Sequence, residues 1–172
     1  KLSIIFARIL EIKNNDIKKY VKHLEYIHDN KQYHAIDQYP NIVSLINTNY
    51  YFSDKFNYLP KTLKSLTIRD DRFNAELRDL PNGLNSLTIT GTPFNKPIDH
   101  LPQSLKSLTI ISNKCKCYIT HFHFNQPIDH LPNNLKSLLM KSHTFNQTIN
   151  HLPNNLKSLT IQSHYFNQQL NN

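Results

Sequence analysis

The chain has 172 residues, a formal net charge of +8 and 38% hydrophobic residues, enough for one domain or one short repeat array with a cap. No apolar run approaches the roughly 20 residues that span a bilayer, no signal peptide is visible, and two glycines with nine prolines do not make a flexible low-complexity chain. Basic residues outnumber acidic ones by seven to four in residues 1–31 and by thirteen to eight thereafter; this supports solubility and suits an acidic partner, but falls short of a nucleic-acid-binding arm.

The first segment is read apart from the rest. Leu2, Ile5, Phe6, Ile9 and Leu10 recur at helical spacing, as do Ile17, Tyr20, Val21, Leu24 and Ile27, with Asn14-Asn15-Asp16 between them as a stop and a new cap. Two short amphipathic helices over residues 1–31 are therefore expected, as a cap on the array that follows or as the remnant of an upstream adaptor domain.

From residue 32 the chain aligns with itself. Leu59-Pro60, Leu80-Pro81, Leu101-Pro102, Leu131-Pro132 and Leu152-Pro153 mark a 21-residue period, interrupted once by an insertion at 111–123. Each pair is followed by L-x-S-L-x-[IM], from Leu63–Ile68 to Leu156–Ile161. Each unit opens with Phe-Asn, at Phe73, Phe94, Phe124, Phe145 and Phe166. Phe52-Ser53 keeps this register, and a worn copy runs from Ile36 to Asn47 with one residue fewer between its Pro40 and its strand. L-x-S-L-x-I alternates apolar and polar residues at its end, as a half-buried strand does. Stacked in parallel, such strands bury their Leu/Ile rows in one continuous core. The expected fold is an α/β solenoid: a leucine-rich-repeat-like parallel β array over residues 32–172, with six strand segments and the short helical N-terminal cap. The Asn row is expected to satisfy backbone groups in the turns.

The words FNKPI (94–98), FNQPI (124–128) and FNQTI (145–149), each joined to the Leu-Pro phrase, resemble the FNIP repeat, a leucine-rich-repeat variant of amoebae and of giant viruses that infect them. Many members of that family are F-box proteins that dock on Skp1 and present the repeats to ubiquitination targets. The resemblance thus implies a target-recognition module in the cytoplasm, the host cytoplasm or the virion if the source is viral. Residues 1–31 show no recognisable F-box pattern, so the Skp1 contact would require one upstream.

The strand face offers the candidate partner site. One row holds Ser65, Ser86, Ser107, Ser137 and Ser158, a second Thr67, Thr88, Thr109, Leu139 and Thr160. Lys64, Lys106, Lys136 and Lys157 form a basic row broken by Asn85, and Arg69 and Lys141 add charge further on. Small polar residues on a strand face are often no more than a solvated surface. Here they are read as a concave surface for a protein segment, with the basic row suited to an acidic one; nucleic acid is disfavoured because aromatic platforms are missing from this face. Cys115, Cys117, His121 and His123 in the insertion are two thiols and two imidazoles with the donor chemistry of a zinc site, against a plain reading as an extended loop packed by Tyr118, Ile119 and Phe122. Two cysteines two residues apart would strain a disulfide, which suits a reducing, intracellular setting. His100, His130 and His151 recur before Leu-Pro, and His143 and His164 occupy the turn position; all five are read as structural. No nucleophile–base grouping, phosphate loop or paired carboxylate appears, so the chain is expected not to be an enzyme. An open strand edge at the C-terminal end would allow self-association, and with it a structural or virion-assembly role.

Overall fold

The structure, a computed structural model, describes residues 7–8, 18–26, 36, 38–48, 56–91, 93–112 and 123–169. Eight strands form one sheet in chain order, every neighbouring pair parallel. They are β1 (Ala7–Arg8), β2 (His23–Tyr26), β3 (Ser44–Asn47), β4 (Ser65–Arg69), β5 (Ser86–Thr90), β6 (Ser107–Ile111), β7 (Ser137–Lys141) and β8 (Ser158–Gln162). From β2 to β8 the register joins equivalent residues: Leu24, Leu45, Leu66, Leu87, Leu108, Leu138 and Leu159 are partners in succession. The parallel solenoid with its 21-residue repeat is as the sequence predicts. The insertion leaves the register intact, because Ser107 pairs with Ser137 across it.

Two rows build the core from the strand side. Leu66, Leu87, Leu108 and Leu138 are fully buried, and so are Ile68, Ile89 and Met140. Leu63, Leu84, Leu105 and Leu135 stand just ahead of the strands, also fully buried. Their amides close turns on Pro60, Pro81, Pro102 and Pro132 at 2.9–3.0 Å, so the proline carbonyl is used where its missing N–H is not needed.

From the other side the core is closed by a column of phenylalanines. Phe73, Phe94, Phe124, Phe145 and Phe166 stack with centroids 5.6–6.2 Å apart and rings within 18° of parallel. Phe52 lies outside the described residues; Phe56, in a 3₁₀ turn (Phe56–Tyr58), meets Phe73 edge-on at 6.3 Å instead. Beside this column runs an asparagine ladder. Asn74 Oδ1 accepts the Asn95 amide, Asn95 that of Asn125, Asn125 that of Asn146, and Asn146 that of Asn167, at 2.8–3.0 Å. Gln126, Gln147 and Gln168 donate to the same oxygens. The Asn row thus does satisfy backbone donors, and each bond crosses to the next repeat.

In the N-terminal segment, strands stand at Ala7–Arg8 and His23–Tyr26, where the two cap helices were expected to run. Described residues of 1–31 include β1 and β2, and β2 pairs in parallel with β3. Val21-Lys22-His23-Leu24 is a further copy of Leu63-Lys64-Ser65-Leu66: Val21 and Leu24 are 0% and 2% exposed, and Val21 closes its turn on the Lys18 carbonyl. The L-x-x-L spacing of this repeat is i,i+3, the spacing of a helix face, and so the two readings share the same apolar residues. The sheet therefore extends upstream of residue 32: among the described residues, β1 and β2 join the six strands expected over residues 32–172. In the worn repeat of β3, Tyr39 is buried where other repeats place leucine, and the missing residue is absorbed in its turn while the strand keeps register.

Candidate interaction surface

Strand alternation decides which side chains meet solvent. In β4, Ser65 and Thr67 are half-buried and Arg69 is exposed, while Leu66 and Ile68 point inward; β5, β6 and β7 repeat this pattern. The expected rows are brought side by side: Thr67, Thr88, Thr109, Leu139 and Thr160 are successive partners, as are Arg69, Thr90, Ile111, Lys141 and Gln162.

The lysines stand just ahead of the strands and are exposed. Their backbones form a ladder: the Lys64 carbonyl accepts the Asn85 amide, Asn85 that of Lys106, Lys106 that of Lys136, and Lys136 that of Lys157, each at 2.8 Å. Lys106, Lys136 and Lys157 therefore sit on three consecutive rungs. Lys64 differs from these three, because its Nζ donates to the Gly83 carbonyl at 3.2 Å, as Lys22 Nζ, at the same position ahead of β2, donates to the Asn41 carbonyl at 3.3 Å. At the equivalent position Asn41, Thr62, Ser104, Asn134 and Asn155 use their own side chains to reach a backbone carbonyl of the preceding turn. Gly83 has no side chain, and a Cβ there would stand 2.7 Å from Lys64 Nζ. Sequence spacing put Lys64 on an equal footing with the other lysines; its second use shows only in the structure.

Acidic side chains of the later repeats gather on the outer side of the solenoid, together with Arg78 and Lys96. Glu76, Asp79, Asp99 and Asp129 lie in the segments between Phe-Asn and Leu-Pro, away from the strands. Among the described residues, the Arg78–Glu76 ion pair at 2.6 Å and the His100–Asp99 contact at 3.7 Å belong to that outer side. A groove there is lined by Ile98, Asp99, Gln126, Asp129, His130 and Leu131 among others. On the sheet side, Asp70 follows β4 at 2% exposure and accepts the Arg72 amide at 2.8 Å; burial pushes its carboxyl above the usual range.

Of the zinc candidates, Cys115, Cys117 and His121 lie outside the described residues. His123 is described and buried. It begins a column with His143 and His164, at 5.8 and 4.3 Å between ring centroids, which Tyr165 meets edge-on at His143. The column matches the structural role read for His143 and His164 and adds His123 to it. Among the described residues no group of three or more His, Cys, Asp or Glu is placed to hold a metal ion, and no helix is long and apolar enough to cross a membrane.

Comparison with known proteins agrees with this geometry. The crystal structure of CroV588, a circular LRR protein, superposes with a TM-score of 0.50 at 22% identity over 98% of this chain. The chain spans 35% of that structure's length. No curated protein matches the chain. Residues 73–113 match the FNIP repeat family, a stretch that holds β5 and β6. These rungs are similar to the FNIP repeat and are set in a leucine-rich-repeat-like parallel solenoid.

Proposed function

We propose that this chain is a non-catalytic protein-interaction module that binds a protein segment on the exposed face of its sheet. One observation carries the reading: five successive rungs present matched rows of small polar side chains flanked by lysines, in register, while the core and the ladders are closed off behind them. A repeated, regular face supplies an extended surface on which a few side chains set specificity. The test is affinity capture with the wild-type chain and with a chain carrying Thr88→Arg and Thr109→Arg, which block the face without touching the core. Proteins held by the first and lost by the second support the reading; equal capture by both removes it.

The finer reading is that the module selects targets for an F-box-type ubiquitin ligase in the cytoplasm. Support comes from the FNIP repeats, through the resemblance described above. Purified Skp1 should bind the product of the full reading frame, and failure to bind would end the adaptor role. Assembly through the sheet edge is favoured by a different observation: Leu159 on β8 is 40% exposed where its partner Leu138 is fully buried. Sedimentation that shows a monomer at every concentration would remove it. Zinc at Cys115, Cys117, His121 and His123 is a separate proposal, decided by metal analysis of untagged protein.

A further inference from the structure

The sheet face is not uniform. Leu139 on β7 stands where β4, β5, β6 and β8 carry threonine, and Ile111 on β6 pairs with Lys141 in a row whose other members are Arg69, Thr90 and Gln162. Leu139 and Ile111 are half-buried on the solvent side of the sheet. At rung and residue spacings of about 4.8 and 3.3 Å, they lie roughly 8 Å apart on adjacent strands. Lys106, Lys136 and Lys157 line one side of this pair on three consecutive rungs, and Lys141 stands on the other side, about 16 Å from Lys136 along β7.

Acidic residues keep clear of this region. From residue 101 to 172 the sequence holds six lysines and a single acid, Asp129, and Asp129 lies on the outer side with Ile128 and His130. The result is a small apolar centre with a one-signed basic rim. An apolar centre excludes water and a charged rim selects and steers the partner.

We propose that the face over β6–β8 docks an acidic protein segment, seating one aliphatic side chain between Leu139 and Ile111 and placing carboxylates on Lys106, Lys136, Lys157 and Lys141. This rests on the protein-interaction reading and names the partner's chemistry. The centre argues against a nucleic acid: strands β6–β8 present aliphatic and small polar side chains and no aromatic ring for base stacking.

The experiment selects displayed random peptides on the 172-residue chain. The strongest binder, labelled with fluorescein, is then titrated against wild type, Leu139→Thr and the double variant Lys136→Glu/Lys157→Glu. Leu139→Thr installs the residue found on four other rungs, so the fold should survive even if the double variant does not fold. The selected peptides should carry clustered Asp or Glu around one Leu, Ile or Met. Their affinity should drop about tenfold in Leu139→Thr and further in the double variant, with a loss on added salt. Enriched peptides without an acidic excess, or affinities unchanged in both variants, would overturn this inference and leave the protein-interaction reading standing. No enrichment at all would remove both. Tighter binding of a single-stranded oligonucleotide than of any selected peptide, undiminished in Leu139→Thr, would give the face to nucleic acid instead.

Discussion

The rungs of β4–β8 and those of β2–β3 share one register but not one set of side chains. In the first group the phenylalanine column and the asparagine ladder tie each repeat to the next. Among the described residues of the second, the strand keeps the inward apolar pair, Val21 and Leu24 or Ile42 and Leu45, together with the turn ahead of it, and the β3 repeat also buries Ile36 and Tyr39. The comparison separates what the fold requires from what strengthens it. Two buried aliphatic residues three apart and a parallel partner suffice for a rung; Phe-Asn and Leu-Pro add packing and cross-repeat hydrogen bonds. Because stability in such arrays is close to a sum of unit and interface terms, the difference is open to measurement.

The largest effect should come from breaking the feature that the worn rungs lack. Phe94→Ala removes a fully buried ring stacked between Phe73 and Phe124, and should cost about 3–5 kcal/mol in chemical denaturation. Leu24→Ala and Leu87→Ala test the feature that both groups share. The two side chains occupy one row and are 2% and 0% exposed, so each should cost about 2–5 kcal/mol. A loss at Leu24 far below that at Leu87 would show that β2 is not an energetic part of the solenoid.

Smaller effects sharpen the comparison. Asn95→Ala leaves the Asn125 amide and Gln126 without their shared acceptor, and should cost about 1–3 kcal/mol; Asn41, on a worn rung and bonded to the exposed Lys19 carbonyl, should tolerate the same exchange with a loss of about 1 kcal/mol or less. Asp70→Asn should stabilise. A carboxyl with a raised native pKa holds its proton more tightly in the folded state, so its contribution is fully present below the unfolded pKa and is lost as pH rises through the folded value. The exchange keeps an acceptor for the Arg72 amide. Its denaturation midpoint should exceed wild type at neutral pH, and the gap should close as pH falls to the carboxylate range. An equal gap at both pH values would refute the assignment to charge burial.

Gly91 shows how one rung constrains its neighbour. A Cβ there would stand 2.1 Å from the Asp70 carbonyl oxygen, a backbone atom with no rotamer to yield. Asp79 is the one described residue other than glycine with positive φ, at 62°, a conformation that Asp accepts more readily than most residues; histidine fills its place in the next three repeats without it.

The amino-acid sequence by itself determined the 21-residue period, the parallel register and the partition of each strand into inward and outward residues, because stacking identical units aligns identical positions. It also located the serine, threonine and lysine rows, and the asparagine role, for the same reason. It could not distinguish a helix face from L-x-x-L where Phe-Asn and Leu-Pro are worn away, since both place apolar residues three apart. Only the tertiary structure decided that Val21 and Leu24 join the sheet, because the choice depends on burial against β3. It alone separated Lys64, turned to Gly83, from the three lysines on consecutive rungs, and brought Ile111 beside Lys141 across an insertion that separates them in the chain. Those are contacts between repeats, and the identity of a contact across the stack is set by the neighbour it meets.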